Sequence, residues 1–117
     1  MIHLQTKCHS YHAYLAEVGD SNEDNFLKEL VAKHQTHEDY WLGATDIFVE
    51  GDWRWNEHDQ RLNYTNWHHG EPNNLHSHGE DCLATRFSGS SFQWRDYECT
   101  SERYFICETG GRWITFG

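Results

Sequence analysis

Apolar positions along the chain change their spacing several times. Leu4, Cys8, Tyr11 and Leu15 recur at three- and four-residue intervals, which predicts a short helix within Leu4 to Ala16, broken at Gly19-Asp20. Ser21-Asn22-Glu23-Asp24 then reads as a capping box, a hydroxyl at the N-cap and a carboxylate three residues on. Phe26, Leu27, Leu30 and Val31 supply the apolar stripe of a second helix that fades near His34. Tyr40-Trp41-Leu42-Gly43-Ala44 is an unbroken apolar run, as expected of a buried strand. From Asp46 to Asp81 the periodicity is lost among Gly, Asn, Asp, His and Trp, and so long an irregular stretch is usually functional. Strands return at Cys82 to Phe87, Phe92 to Arg95 and Arg103 to Cys107. The pattern predicts an α+β chain: two helices, a strand, a long polar loop region, then an antiparallel sheet, with no repeat and no linker.

Composition alters this picture in two respects. A chain of 117 residues makes one domain with a modest core, and Leu, Ile and Val number only 15 in it. That poverty, with so much charge, resembles a disordered chain. The 18 Trp, Tyr and Phe argue for a folded one, because each buries a large area. The formal net charge of −10 leaves no basic patch to displace counterions, so neither nucleic acid nor an anionic membrane is expected as a partner. Cys8, Cys82, Cys99 and Cys107 include no C-x-x-C pair, which disfavours a zinc ribbon or a thioredoxin-like site. Two disulfides and a secreted, extracellular setting are expected instead. Met1-Ile2-His3 is not a secretory leader, so the chain reads as mature, truncated or restarted.

Candidate chemistry gathers in the irregular stretch and just after it. Glu71-Pro72-Asn73-Asn74, Glu80-Asp81-Cys82 and Trp94-Arg95-Asp96 supply hard oxygen donors, of which Ca²⁺ takes about six to eight. Pro72 can fix the loop, through a cis bond if one is present, so that its neighbours point one way. Taken alone, the Glu-Pro-Asn string fits a solvated turn better. Asp20 to Val31 superficially imitates an EF-hand loop, but Asn25 stands where Gly is required and Val31 where Glu is required. His76-x-His78, with His68 and His69 nearby, resembles a transition-metal grip that lacks a clear third ligand. Ser88, Ser90 and Ser91 have no companion base, and no catalytic residue is predicted. Asn63-Tyr64-Thr65 is a formal glycosylation sequon, flanked by aromatic residues that look like core anchors.

In order along the chain, these pieces resemble the C-type lectin-like domain from about Gln5 to Glu108. Cys8 is followed by Ala13-Tyr14-Leu15-Ala16 and the Ser21-x-x-Asp24 helix; Trp41-Leu42-Gly43-Ala44 stands where the family has W-I-G-L. Asn63-Tyr64-Thr65-Asn66-Trp67 leads into Glu71-Pro72-Asn73. Gly79-Glu80-Asp81-Cys82, Trp94-Arg95-Asp96, Cys99 and Phe105-Ile106-Cys107-Glu108 complete the pattern. The detail is most similar to secreted, single-domain invertebrate lectins, including mollusc-shell and haemolymph types.

The resemblance implies nested disulfides, Cys8 to Cys107 and Cys82 to Cys99, within a fold of two helices, small antiparallel sheets and a long Ca²⁺-binding loop region. It implies a principal Ca²⁺ held by Glu71, Asn73, Glu80 and Asp96, with two sugar hydroxyls joining the same ion. In this family Glu-Pro-Asn accompanies mannose, glucose, N-acetylglucosamine or fucose, and Gln-Pro-Asp accompanies galactose. The acid and amide must each coordinate the ion and match one hydroxyl, and leaving either unpaired costs roughly 1–3 kcal/mol. By the same mapping Asp46, Glu50, Asn74 and Asp81 hold a second ion, with Glu80 shared. Asn74 is neutral where the family often has an acid, so this site is expected to be the weaker.

Two departures stand out. The family's W-N-D is here Trp94-Arg95-Asp96, and Arg95 offers donors, no acceptor and a repelling charge. It swings outward while water fills its place, reaches the sugar or an acidic ligand, or abolishes the site by pairing with Glu71 or Glu80. The family's opening G-W-x-x-F strand is also not found ahead of Cys8. Gly111-Arg112-Trp113-Ile114-Thr115-Phe116-Gly117 looks like that strand displaced, giving a lectin-like domain over 1–108 and a tail over 109–117 that substitutes for it, in the same molecule or swapped into a partner. The expected function is non-enzymatic, Ca²⁺-dependent recognition of mannose-type glycans in innate immunity or in cell or particle recognition. Multivalency through a homodimer or higher homo-oligomer would strengthen weak single sites. The rival is a structural protein that contacts calcium salts, its sugar site disabled by Arg95. A weaker third reading is ion or pH sensing by the loop histidines.

Overall fold

The structure, a computed structural model, describes residues 2–33, 38–72, 81–88, 91–110 and 112–116. Its elements are α1 (Ile2–Ser10), β1 (Tyr14–Leu15), α2 (Ser21–Lys33), β2 (Tyr40–Thr45), β3 (Arg54–Trp55), β4 (Gln60–Arg61), β5 (Cys82–Ser88), β6 (Ser91–Tyr97), β7 (Tyr104–Thr109) and β8 (Arg112–Phe116). The first helix stops earlier than its spacing predicts. His12 takes a left-handed φ of 59°, and the amides of Tyr11 and Ala13 both close onto the Cys8 carbonyl, at 3.0 and 2.9 Å. That turn releases Tyr14 and Leu15 from the helix and delivers them to the sheet.

The second helix begins one residue off the predicted capping box. Asp20, not Ser21, is the N-cap: its Oδ1 accepts from the Glu23 amide at 2.8 Å. Glu23 reaches back to the Gly19 amide at 2.9 Å, so the reciprocal pair is Asp20 with Glu23. Asp24 is thereby freed from capping and turns inward, 4% exposed. Helix, not a Ca²⁺ loop, occupies the stretch that imitates an EF-hand.

Among the described residues, eight strands form one branched, mixed sheet rather than separate antiparallel ones. β7 is its hub. It pairs antiparallel with β1 (Leu15 opposite Cys107) and parallel with β2 (Trp41 opposite Phe105). β8 runs antiparallel to it in the same chain, from Phe105 opposite Phe116 to Thr109 opposite Arg112. β2 also pairs antiparallel with β3 and with β5, and β5 with β6. All six β2 residues are buried, as expected of a strand covered on both faces. Gly43 permits the close passage of β1. A Cβ there would stand 2.8 Å from the Leu15 carbonyl oxygen, where the Gly43 amide instead donates to Ala16 at 2.9 Å.

Alternation along the strands divides the interior into two cores. Leu42, Leu83, Trp94 and Ile106 pack with Leu27 and Val31 of α2. Trp41, Ala84 and Phe105 pack with Leu4 and Leu15. Cys8–Cys107 and Cys82–Cys99 are both bridged, as the resemblance implied, and span 99 and 17 residues. Asp39, 7% exposed, accepts from Arg103 and, at 3.0 Å, from the Tyr97 hydroxyl. Arg103 also lies over the Tyr97 ring, 3.8 Å from its centroid, a cation–π contact that anchors the β6–β7 connection.

Candidate functional site

Two groups of carboxylates sit at one end of the β2–β5–β6 ladder. The first begins where β2 ends. Asp46 follows Thr45, its amide donates to the Asp81 carbonyl at 3.1 Å, and its Oδ2 accepts from the Gly51 amide at 2.9 Å. Gly51 has a φ of 81°, and the turn it completes brings Glu50 back over Asp46. Carboxylate oxygens of Asp46, Glu50 and Asp81 all lie within 4.8 Å of one another, the one such grouping of three ligating side chains among the described residues. Asp46 is 3% exposed. Its Oδ1 and that of Asp81 are buried without a hydrogen-bond donor. Burial first, then the adjoining Glu50 and Asp81 carboxylates, push Asp46 from 3.8 to about 7, against the opposing Gly51 amide. Carboxylates this close favour a shared proton or a cation between them.

The second group is built from the loop that precedes Pro72. The Trp94 amide donates to the Asn66 carbonyl and the His68 amide to the Trp94 carbonyl, each at 2.8 Å, so residues 66–68 zip onto β6 two residues before Asp96. The loop then turns at Gly70 (φ 86°) into a cis Glu71–Pro72 peptide. Glu71 Oε2 accepts from the Asp96 amide at 3.2 Å. The buried Asp96 lies opposite Leu83 in the ladder. Asn73, Asn74, His76, His78, Glu80 and Ser90 lie outside the described residues. His68 turns its Nδ1 to the His69 carbonyl at 3.0 Å. Ser88 and Ser91 are register partners at the end of the β5–β6 pair.

Arg95 stands on the other side of that ladder. It pairs with Ala84 while Trp94 and Asp96 pair with Thr85 and Leu83. Side chains alternate between faces, so Arg95 shares a face with Tyr97 and not with Asp96. Its charge acts on the Tyr97 hydroxyl, whose pKa burial and Asp39 nonetheless raise.

The sequence reading missed the residue that ties the loop to the helix. Asp24 accepts from Asn66 Nδ2 at 2.7 Å, from the Tyr64 hydroxyl at 3.0 Å and from Trp94 Nε1 at 3.2 Å. Trp94 is fully buried and meets Trp55, Tyr64 and Trp67 edge to face, with centroids 5.7–5.9 Å apart. One carboxylate thus joins α2, the 64–67 segment and β6. Burial, followed by the Asp24 charge, raises the Tyr64 hydroxyl to about 12. A signal existed: Asp24 lies three and seven residues before Leu27 and Val31, on the apolar stripe itself. Asn63 is exposed beside these anchors.

Fold and site geometry together define a class of protein: residues 3–109 match the Lectin C-type domain family, and the chain belongs to it. The family consists in general of non-enzymatic carbohydrate-binding proteins that typically bind calcium. Among its relatives, Perlucin of Haliotis laevigata is 38% identical over 101 residues, which are 86% of this chain and 64% of the relative. A Perlucin-like protein of Mytilus galloprovincialis is 34% identical over 103 residues, again 64% of its length. The chain therefore spans just under two thirds of either. The carbohydrate-recognition domain of the human scavenger receptor C-type lectin superposes with a TM-score of 0.80 at 29% identity, over 92% of this chain and 80% of that one. The cow domain of CD23, solved in the presence of a GlcNAc2Man3 oligosaccharide, superposes at 0.72 and 32% identity, over 87% and 72%. No described helix is long and apolar enough to cross a membrane.

Proposed function

We propose that this chain is a Ca²⁺-dependent module for glycans of the mannose, glucose, N-acetylglucosamine or fucose type. It acts outside the cell in recognition of microbial, particle or cell surfaces, innate immunity included. The observation that carries the reading is the Asp46, Glu50 and Asp81 trio, with two buried carboxylate oxygens lacking donors. Such a site fits a hard divalent cation, which replaces the shared proton with charge of the right sign. Asn74 would join these three around one ion, and Glu71, Asn73, Glu80 and Asp96 would hold the other. A bound ion supplies open coordination positions for two vicinal hydroxyls. The chain's own contribution is to fix Glu71 against the Asp96 amide at 3.2 Å, which holds the acid of the pair in place. Glu71-Pro72-Asn73 supports the mannose-type preference by its order of acid and amide. The side of the ladder taken by Arg95 supports a working sugar site over one that Arg95 disables. The antiparallel pairing of β8 with β7 supports β8 as a substitute for the family's opening strand.

Calorimetry with mannose and with galactose, in Ca²⁺ and again in a chelator, tests the reading. Heat with mannose that vanishes in the chelator is expected, and Glu71→Gln should weaken it by roughly tenfold or more, the loss of one buried partner. Absence of Ca²⁺-dependent heat with either sugar overturns it. Adsorption to calcium carbonate without sugar competition would instead favour a structural role on mineral surfaces.

A further inference from the structure

A second recess lies between α2 and the C-terminal strand, away from both carboxylate groups. Phe26 of α2 is 64% exposed, yet its ring meets Trp113 of β8 nearly at right angles, with centroids 6.4 Å apart and planes at 71°. These two rings border a cavity of about 440 Å³ whose lining includes Glu23, Glu29, Glu108 and, among the described residues, a single cation, Lys33. Glu108 is nine-tenths buried and is raised by burial first and by the charges of Glu17 and Glu23 after it. The Trp113 indole N–H lies near Glu108 without completing a hydrogen bond.

The recess carries excess negative charge, so it favours a cation over a neutral sugar. Its carboxylates are not drawn together as Asp46, Glu50 and Asp81 are, which leaves nothing to replace the hydration shell of a metal ion. Aromatic faces set at right angles, with carboxylates dispersed around them, suit a bulky and weakly hydrated cation. We propose that this recess binds a quaternary ammonium group, by cation–π contact with Phe26 and Trp113 and by the field of Glu23, Glu29 and Glu108. The group is carried by choline and its phosphate ester or by a trimethylated lysine.

The test is a ¹H–¹⁵N NMR titration of the whole chain in a chelator, so that the outcome is independent of any Ca²⁺ site. The probes are choline, phosphocholine, a trimethyl-lysine peptide, the matching unmodified peptide and 3,3-dimethylbutan-1-ol, the uncharged isostere of choline. Saturable shifts of the Trp113 indole with the quaternary compounds, and not with the alcohol or the unmodified peptide, are expected. The tighter of phosphocholine and the trimethyl-lysine peptide identifies the source of the group. Phe26→Ala, which loses its ring contact with Trp113, should lower the melting temperature by no more than a few degrees while weakening choline roughly two- to fivefold. Glu29→Gln should weaken choline and leave the alcohol unaffected. Equal response to the alcohol, equal response to unmodified lysine, or no saturable shift overturns the proposal.

Discussion

Replacing Asp24 by Ala should loosen the site from a distance. The substitution removes the acceptor of three donors, Asn66 Nδ2, the Tyr64 hydroxyl and Trp94 Nε1. Each donor left buried and unpaired costs about 1–3 kcal/mol. The three losses do not simply add, because removing a buried carboxylate also removes its desolvation, the first cause of its raised pKa. A net loss of about 3–5 kcal/mol is expected, the lower part of what three unpaired donors would cost together. In a domain of this size that lowers Tm by roughly 10–20 °C. Urea unfolding followed by circular dichroism measures the first figure and a thermal scan the second. Asp24→Asn keeps the shape and one acceptor but presents an amide N–H₂ to the remaining donors, so it should fall between wild type and Asp24→Ala. Residues 66–68 are zipped to Trp94 two positions before Asp96, so Ca²⁺ affinity should fall along with stability. A loss below about 1 kcal/mol in Asp24→Ala, less than one unpaired donor costs, would refute the reasoning.

Arg95→Ala should leave Ca²⁺ and sugar affinity within about twofold, because the register turns the side chain away from Asp96; a larger change in calorimetry would show that Arg95 enters the site. His58 Nδ1 meets Glu17 Oε1 at 2.8 Å, and that contact raises the imidazole above its usual 6.5. The folded-state value is the higher one, so the pair's stabilisation is complete below pH 6.5 and disappears as pH rises through the raised value. Thermal scans across that window should show the decline in wild type and not in His58→Gln. Replacing Cys8 and Cys107 by Ala reopens a loop spanning 99 residues, with an expected loss of about 4.7 kcal/mol in the loop-entropy model. The corresponding loss for Cys82 and Cys99, which span 17, is about 3 kcal/mol; equal losses in urea unfolding would show that loop length does not decide them.

What the sequence makes legible follows from how local each signal is. Tyr40 to Ala44 announces itself by consecutive apolar residues and β6 by the alternation of Phe92 and Trp94 with polar neighbours. The end of α1 is hidden, since it depends on a left-handed His12 that no propensity marks. Ser21 and Asp20 are both good caps, and only the bond from the Glu23 amide to Asp20 separates them. The parallel pairing of β2 with β7 joins residues more than sixty positions apart, beyond any window of periodicity. Asp24 is ambiguous in sequence because capping and burial compete for the same carboxylate in the first turn. Arg95 is a harder case: the register sets neighbours 95 and 96 on opposite faces of the ladder, while the family's ligand motif draws on both positions.

The shorter disulfide has a bearing on how the carboxylate end is made. Cys82 follows Asp81 directly, and Cys99 lies three residues beyond Asp96. The bridge therefore clamps the stretch in which Cys82 pairs with Tyr97 and Leu83 with Asp96. Five mutually repelling acids, Asp46, Glu50, Glu71, Asp81 and Asp96, collect at that end of the sheet, where an open chain would spread them. Oxidation of one thiol pair sets a limit on how far they can separate before any counter-charge arrives. A reducing environment would release this clamp and let the acids move apart.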